Sequence, residues 1–567
     1  MINLIFFLAT LLISITILKF YKRKVKKYQA QNINWAPKPR SKLLTDLRTT
    51  KYDLVIIGGG VTGAGCALDG ATRGLKVALV EQGDFGQETS SKSTKLIYSG
   101  TNHLNKSIFN LSELFNLFIF LRERDIILKN SVYLTKPLKL IIPVYSWYKL
   151  ICYFLKFKIC WLLSFFKFFK KVSVLSKRNV KQLFPLIKSK DLKGGISYYE
   201  GIQNDSRNNL MIILTAQYYG ATTLNYVKVT DFIKENNKII GVKCSDTLTK
   251  NEFNVLGKGI INTTGPFTDT IKSKSEDKDP IMQFSKGIHL VLPKKYGPKN
   301  IGLINLNVLK NGTLFSLPFD NRRLIGSTEY HFDLENKFKP TKKDIKILLD
   351  TFKKSLEEPK NLNNEIKCVF SGIRSMVKES VSKNTNFTIT VSKDKLLTVT
   401  GGIWTLYRKM AEDTIDKAID LFKLTAKNGC ITKNLKILGS ENFNKSIIKN
   451  ISKKLKISTN LSTYLCKNYG MLAYKFKNYN NFKIINQNFM LTEGELLYLI
   501  ENEMVRRTQD VLVRRTSIAF FDVKKAFLIS KDVSNYLAKY FSWNEKEINK
   551  DQKDILKYFR GLGLEIL

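Results

Sequence analysis

The sequence predicts an α/β chain: a parallel-sheet nucleotide-binding domain, an antiparallel-sheet second domain interleaved with it, and a helical C-terminal domain. Three observations predict this. Near the N-terminus an apolar run leads into a glycine-rich turn and then a helical pattern. Between about residues 280 and 400 short alternating apolar runs recur, and residues 430–567 read mostly as helix.

Ile2 to Leu18 carries no charge, and Lys22-Arg-Lys-Val-Lys-Lys27 follows. That run is at the short end of a membrane span. No basic stretch precedes it and no small-residue cleavage site follows, which favours an uncleaved anchor over residues 1–27, with its basic flank on the cis side. Residues 28–50, with Pro37 and Pro39, read as a linker.

The nucleotide pattern starts at Lys51. Leu54 to Ile57 is short, apolar and largely β-branched, as a buried parallel strand is. Gly58, Gly60 and Gly63 fit G-x-G-x-x-G, and a helical pattern continues from Ala64 to Thr72. Gly58 permits the tight turn, Gly60 lets backbone approach a pyrophosphate, and Gly63 lets helix pack close on strand. The phosphates are expected at the helix N-terminus, where N–H groups and the dipole favour an anion. A second apolar run, Lys76 to Val80, ends in Glu81, placed for ribose hydroxyls and against a 2′-phosphate. Together these features predict a dinucleotide cofactor.

After Glu81, Glu88-Thr-Ser-Ser-Lys-Ser-Thr-Lys95 offers hydroxyls and amides suited to a pyrophosphate or flavin edge. Residues 108–128 read as helix. Val144 to Phe169 is apolar and aromatic but interrupted by Lys149, Lys156, Lys158 and Lys167, too many for mid-bilayer. A helix lying in a membrane interface and a core helix both fit it. From Gly194 to Val229 the pattern is strand, helix, strand. Gly259 to Asp269 is a buried strand ending in a Gly-Pro turn, and Thr398 to Thr405 is another strand and glycine turn opening a helix from Leu406 to Leu421. A polar stretch near 423–460 reads as a boundary.

Hydrophobic content of 44% with 11% aromatics excludes a disordered chain. The net charge of +45 raises nucleic acid or an anionic membrane as partners. Its lysines are scattered, with no arginine-rich stripe and no nucleic-acid motif. The reading is therefore compositional bias plus attraction to acidic lipid, and no nucleic acid is expected. Seven cysteines, an odd number without a C-x-x-C pair, argue against a disulfide framework and a zinc site. Three histidines leave little for a metal centre, so no metal is expected.

Taken in order, GGGVTG, TSSKSTKLI, NDSR, INTTGPFTD, SGIR and GGIWTLYRKMAEDT resemble the FAD-dependent glycerol-3-phosphate dehydrogenase family. EMVRRTQDVLVRRTSIAF is similar to that family's helical cap, so the resemblance runs from about Lys51 to Asp522. It implies a flavin domain of the glutathione-reductase-like class over residues 51–422, a substrate domain at about 280–400, and a helical cap over 430–567. It also implies FAD as cofactor and a mitochondrial inner-membrane enzyme that oxidises a small phosphorylated substrate and passes electrons to quinone. A homodimer is left open. Calcium control is not expected, because no D-x-D-x-D-G run stands near the C-terminus.

The resemblance places the flavin on Gly58, Gly60, Gly63, Glu81, Ser90, Ser91, Thr94, Gly401, Gly402 and Thr405. It implies that Arg374, in Ser371-Gly-Ile-Arg374, holds phosphate and that His289, in Ser285-Lys-Gly-Ile-His289, is a catalytic-side histidine; His103 is a second candidate base. The chain also departs from the pattern. Where the family reads S-K-L-I-H-G-G-x-R-Y-L, this chain has Tyr98 for the histidine, Asn102 for the arginine and His103 for the tyrosine. Ile403 replaces the lysine of G-G-K-W-T.

Each hydrogen bond to a charged group contributes about 1.5–3 kcal/mol, so two lost cations weaken phosphate binding by about two to four decades. Asn102→Arg with Ile403→Lys is therefore expected to lower KM for glycerol 3-phosphate, by more than the two single changes combined if both touch one phosphate. Steady-state kinetics checks this. Three functional readings stay open: oxidation of sn-glycerol 3-phosphate, a flavin enzyme for a less anionic 2-hydroxy or amino substrate, and a flavin-binding membrane partner without catalysis.

Overall fold

In the computed structural model the chain lays down two large sheets, whose strands are not consecutive in sequence. The structure describes residues 31–100, 111–163, 172–309, 312–327, 330–331, 339–357, 362–378 and 387–566. The expected anchor, residues 1–27, lies outside them. Among the described residues no helix is long and apolar enough to cross a membrane. Ile33–Leu567 form one compact unit.

The first sheet is the expected parallel unit. Its strands run in the order Thr222–Leu224, Val77–Val80, Tyr52–Ile57, Glu252–Asn262 and Leu396–Gly401, all parallel, with Phe387–Val391 antiparallel at the edge. Leu54, Val55, Ile56, Ala78 and Leu79 are wholly buried, which is why these strands read as unbroken apolar runs. The helix Val61–Thr72 packs against Asp205–Tyr218 and Tyr407–Phe422. Small residues permit the approach: a Cβ at Gly65 would already stand 3.0 Å from Ala411.

The second sheet corrects the expected domain limits. Strands from 282–377 supply only part of it; Leu96–Ile97, Thr135–Val144, Ser173–Ser176 and Gly194–Gln203 complete it. The run Ile196-Ser-Tyr-Tyr199 therefore belongs to this sheet and not to the parallel one. Antiparallel pairing of Met282–Pro293 with Cys368–Val377 sets Ser285 opposite Arg374 and His289 opposite Phe370. That register gathers the substrate-side candidates on neighbouring strands.

The stretch expected as a linker is partly helix. Arg40–Thr49 follows Pro39 and buries Leu43 and Leu47, one turn apart on one face. Trp147–Leu163 is a helix with two characters: Leu150, Phe157 and Cys160 are buried, whereas Trp147, Tyr148, Ile151, Leu155 and Leu162 are exposed. Residues 164–169 of the expected apolar segment lie outside the described residues. The polar stretch near 423–460 is a boundary in composition but not in packing, since Leu435, Ile437, Leu438, Ile447 and Ile451 are buried.

The C-terminal region is helical as expected, with Thr459–Tyr469, Glu493–Asn502, Val523–Phe541 and Glu545–Gly561 its main helices. A buried charge cluster clamps it to the parallel unit. Asp84, just past the second strand, accepts from Arg515 at 2.6 and 2.9 Å and from Arg514 Nε, and Arg514 also pairs with Asp510 at 2.7 Å. Arg207 pairs with Glu503. Arg207 of the NDSR motif and the Arg514-Arg515 pair of the C-terminal motif are thus explained by these buried ion pairs.

Candidate active site

The first strand ends at Gly58, whose φ of +109° suits glycine; a Cβ there would stand 2.9 Å from the Thr263 carbonyl oxygen. Gly63 is tighter still: a Cβ would lie 2.0 Å from Gly58 O and 2.6 Å from Thr263 Oγ1. Gly63 therefore closes the helix onto the turn and does not line the cavity, whereas Gly60, Val61 and Thr62 open the helix start onto it. Gly60 faces Ser90, whose Oγ accepts from Val61 N at 3.0 Å.

Glu81 stands where the sequence places it, with an added role. Its two carboxylate oxygens accept from Gly59 N at 2.7 Å and Gly83 N at 2.9 Å, tying the turn to the strand end. It lines the cavity and each oxygen keeps a second lone pair for a ribose hydroxyl. Burial raises its pKa. Thr263, Thr264 and Gly265, after the Glu252–Asn262 strand, complete this end of the wall. The INTTGP run was visible in the sequence, but nothing local marked those three as site residues.

The Ser/Thr loop divides its tasks. Ser90 and Thr94 line the cavity. Ser91 does not: it is buried, and its hydroxyl donates to Glu88 O at 3.4 Å, so its expected contact with the cofactor is corrected to a role within the loop. Ser93 and Lys95 are fastened to Asp205 at 2.7 and 2.6 Å. Beyond the last parallel strand, Gly401 and Gly402 turn with φ of +81° and +77°. Trp404 Nε1 then donates to Ser90 O at 3.1 Å, and Thr405 Oγ1 to Tyr98 O at 3.0 Å. These bonds tie the late glycine turn to the Ser/Thr loop across the chain. Ile403, 42% exposed, stands on the cavity wall where the family pattern has lysine.

On the second sheet, Arg374 Nη2 donates to Ser327 Oγ at 2.6 Å and Nη1 to Ser285 Oγ at 3.4 Å. His289 lies at the same wall, hydrogen-bonded through Nε2 to Thr94 Oγ1 at 3.1 Å and stacked on Phe370 at 4.9 Å. Burial, and then the charges of Arg374 and Lys95, push its pKa down to about 3, so the imidazole is neutral across the working range. Its Nδ1 has no hydrogen-bond partner among the described residues. His103 and Asn102 lie outside the described residues. The wall further includes Lys156, Phe157 and Tyr198, residues that sequence reasoning did not assign to the site.

All of this surrounds one cavity of about 970 Å³. The FAD-dependent oxidoreductase family matches residues 53–402, and the C-terminal domain of alpha-glycerophosphate oxidase matches residues 430–548. A probable glycerol-3-phosphate dehydrogenase of Encephalitozoon cuniculi (strain GB-M1) is 36% identical over 560 residues, covering 97% of this chain and 91% of its own length. The chain belongs to the FAD-dependent glycerol-3-phosphate dehydrogenase family. The mitochondrial glycerol-3-phosphate dehydrogenase of Rattus norvegicus is 34% identical over 535 residues, with 90% of this chain and 73% of that protein covered. The crystal structure of glycerol-3-phosphate dehydrogenase from Bacillus halodurans, complexed with FAD, superposes with a TM-score of 0.78 at 27% identity, covering 94% of this chain and 99% of that one.

For a member of this family the cradle fits the cofactor: the turn at Gly58 admits no side chain cheaply, Gly60 leaves the helix start open to the cavity, and polar groups line it. Gly63→Ala is expected to yield colourless, less stable protein, because the new methyl would collide with backbone. Gly60→Ala meets only the Ser90 hydroxyl at 3.2 Å and is expected to fold, whereas Gly60→Val is expected to lose flavin. Visible absorbance of the purified variants checks all three.

Proposed function

We propose that the chain oxidises sn-glycerol 3-phosphate to dihydroxyacetone phosphate, with the electrons passing to a quinone at the mitochondrial inner membrane. The observation that carries the reading is Arg374, oriented by Ser285 and Ser327, in one cavity with His289 and the glycine cradle. The names of the relatives support the substrate, and the mitochondrial relatives support the compartment. Gly58, Gly60, Glu81, Ser90, Gly401 and Gly402 would hold FAD. When bound, FAD supplies the acceptor for the hydride leaving the substrate's middle carbon. Arg374 binds the phosphate, with its fork fixed by the two serines. Neutral His289 receives the proton of the middle hydroxyl; the burial that keeps it neutral makes it a weak base, so the proton leaves the hydroxyl together with the hydride. A coupled assay tests this reading: dihydroxyacetone phosphate should appear in step with reduction of a soluble quinone. Quinone reduction by unphosphorylated hydroxy or amino acids alone would favour the less anionic substrate class.

The membrane reading rests on the helix Trp147–Leu163. Trp147, Tyr148, Ile151, Leu155 and Leu162 form one exposed apolar face, with Tyr148 76% exposed, and Lys158 lies 4.3 Å over the Trp161 ring. Aromatic rings with lysines beside them suit the headgroup region of an anionic bilayer. Ile151→Asp with Leu155→Asp is expected to cut sedimentation of the holoenzyme with anionic vesicles by about tenfold or more. Deleting residues 1–27 should weaken it only in part.

A further inference from the structure

The two faces of the helix Trp147–Leu163 have different surroundings. Its inner face is pinned to the strand Gly194–Gln203, where the Phe157 and Tyr198 rings pack 4.1 Å apart, tilted by 31°. Lys156, next to Phe157, lines the cavity together with Tyr98, Tyr198, His289 and Arg374. Lys156 is half-buried, and that burial lowers its pKa. Glu200, the buried acid on the same strand, is engaged elsewhere: Arg124 lies 3.5 Å from it and Ser99 donates to it.

The arginine and the lysine of the family pattern are both missing from this chain, at Asn102 and Ile403. Tyr98 replaces the histidine, and Asn102, four residues on, replaces the arginine. The Tyr98 ring packs edge-on against Phe120 at 6.5 Å, and its carbonyl is held by Thr405. The cavity therefore lacks the family's cation at Ile403 but gains one from a helix that the sequence pattern of the site does not include.

We propose that Lys156 is a second cation holding the substrate phosphate together with Arg374, on the wall of the same cavity, and that it offsets part of the charge lost at Asn102 and Ile403. This rests on the glycerol 3-phosphate reading above. A partly buried ammonium attracts a dianion more strongly than an exposed one, because the surrounding dielectric is lower. Its aliphatic stem can lie along the apolar wall while the head reaches the phosphate. The cation would act on the phosphate in ground and transition states alike, so it should set KM and product affinity and leave kcat unchanged.

The test uses the full-length flavin-loaded enzyme and the variants Lys156→Met and Lys156→Arg. Methionine keeps stem length and helix propensity, and visible absorbance with thermal melting confirms that each variant is folded. Calorimetric titration with dihydroxyacetone phosphate should show affinity falling about 10- to 100-fold in Lys156→Met, and KM for glycerol 3-phosphate should rise by a similar factor. Lys156→Arg should recover most of both. A methionine variant that binds dihydroxyacetone phosphate like the wild type, in an enzyme that turns over glycerol 3-phosphate, overturns this proposal alone. A wild-type enzyme that neither binds the product nor is reduced by glycerol 3-phosphate removes the functional reading, and this proposal with it.

Discussion

Arg374→Ala is expected to lower kcat/KM for glycerol 3-phosphate by about two to four decades while the bound-flavin spectrum is unchanged. The guanidinium is fixed by Ser327 at 2.6 Å and Ser285 at 3.4 Å, and the strand register sets it opposite Ser285. Alanine removes the fork and leaves a dianion facing hydroxyls that cannot neutralise it. Arg374→Lys should recover only part, since one ammonium does not reproduce two parallel N–H donors. Steady-state kinetics measures the effect, with flavin absorbance as the control for folding. An alanine variant within about threefold of wild type would remove Arg374 from the phosphate site.

Asp84→Ala is the largest expected loss of stability, about 3–5 kcal/mol. The carboxylate is fully buried and accepts from Arg514 Nε, from Arg515 twice, and from Asn225 at 3.0 Å. Removing it takes away the carboxylate that both buried guanidiniums share, leaving Arg514 with Asp510 and Arg515 with the Glu503 carbonyl and a carboxylate 3.8 Å away. Burial works to raise the Asp84 pKa, but Arg515 and Arg514 outweigh it and hold the group well below the ordinary carboxylate range. Its folded pKa is thus depressed, so its stabilisation is present above the unfolded value near about 3.9 and is lost as pH falls below it. Neighbouring Asp510 works in the opposite sense: burial, and then Asp84, raise its pKa. Chemical denaturation at stepwise lower pH should show wild type losing more stability than Asp84→Asn. Equal acid sensitivity in the two would contradict the clamp.

The parallel unit was legible because its strands are buried on both faces and follow one another with a glycine turn between. The second sheet was legible in its strands between 282 and 377 but not in those from 96–203, whose pairings span longer sequence distances. Gly194–Gln203 pairs with Thr135–Val144, a strand carrying Pro137 and Pro143 that local pattern does not favour. The helix Arg40–Thr49 has a readable signal, since Leu43 and Leu47 stand one turn apart behind Pro39, but Pro37 and Pro39 suit a linker equally well. At the site, Glu81 was found from its place at a strand end, whereas its bonds to Gly59 and Gly83 depend on the folded turn. Ser91 shares a polar loop with Ser90 and Thr94, and only the three-dimensional turn separates the residue facing inward from those facing the cavity. Lys156 was hidden for a different reason: in an aromatic, lysine-spaced run, an interfacial lysine and a cavity lysine look alike.

The most direct test of the account is anaerobic titration of the purified flavoprotein with sn-glycerol 3-phosphate, followed by visible absorbance, against glycerol and a panel of unphosphorylated 2-hydroxy and amino acids. The account predicts that the oxidised flavin band bleaches with glycerol 3-phosphate, at concentrations at least about a hundredfold below any needed with glycerol, and that Arg374→Ala abolishes that preference. Bleaching by an unphosphorylated acid with none by glycerol 3-phosphate, or a flavin that no member of the panel reduces, would contradict it.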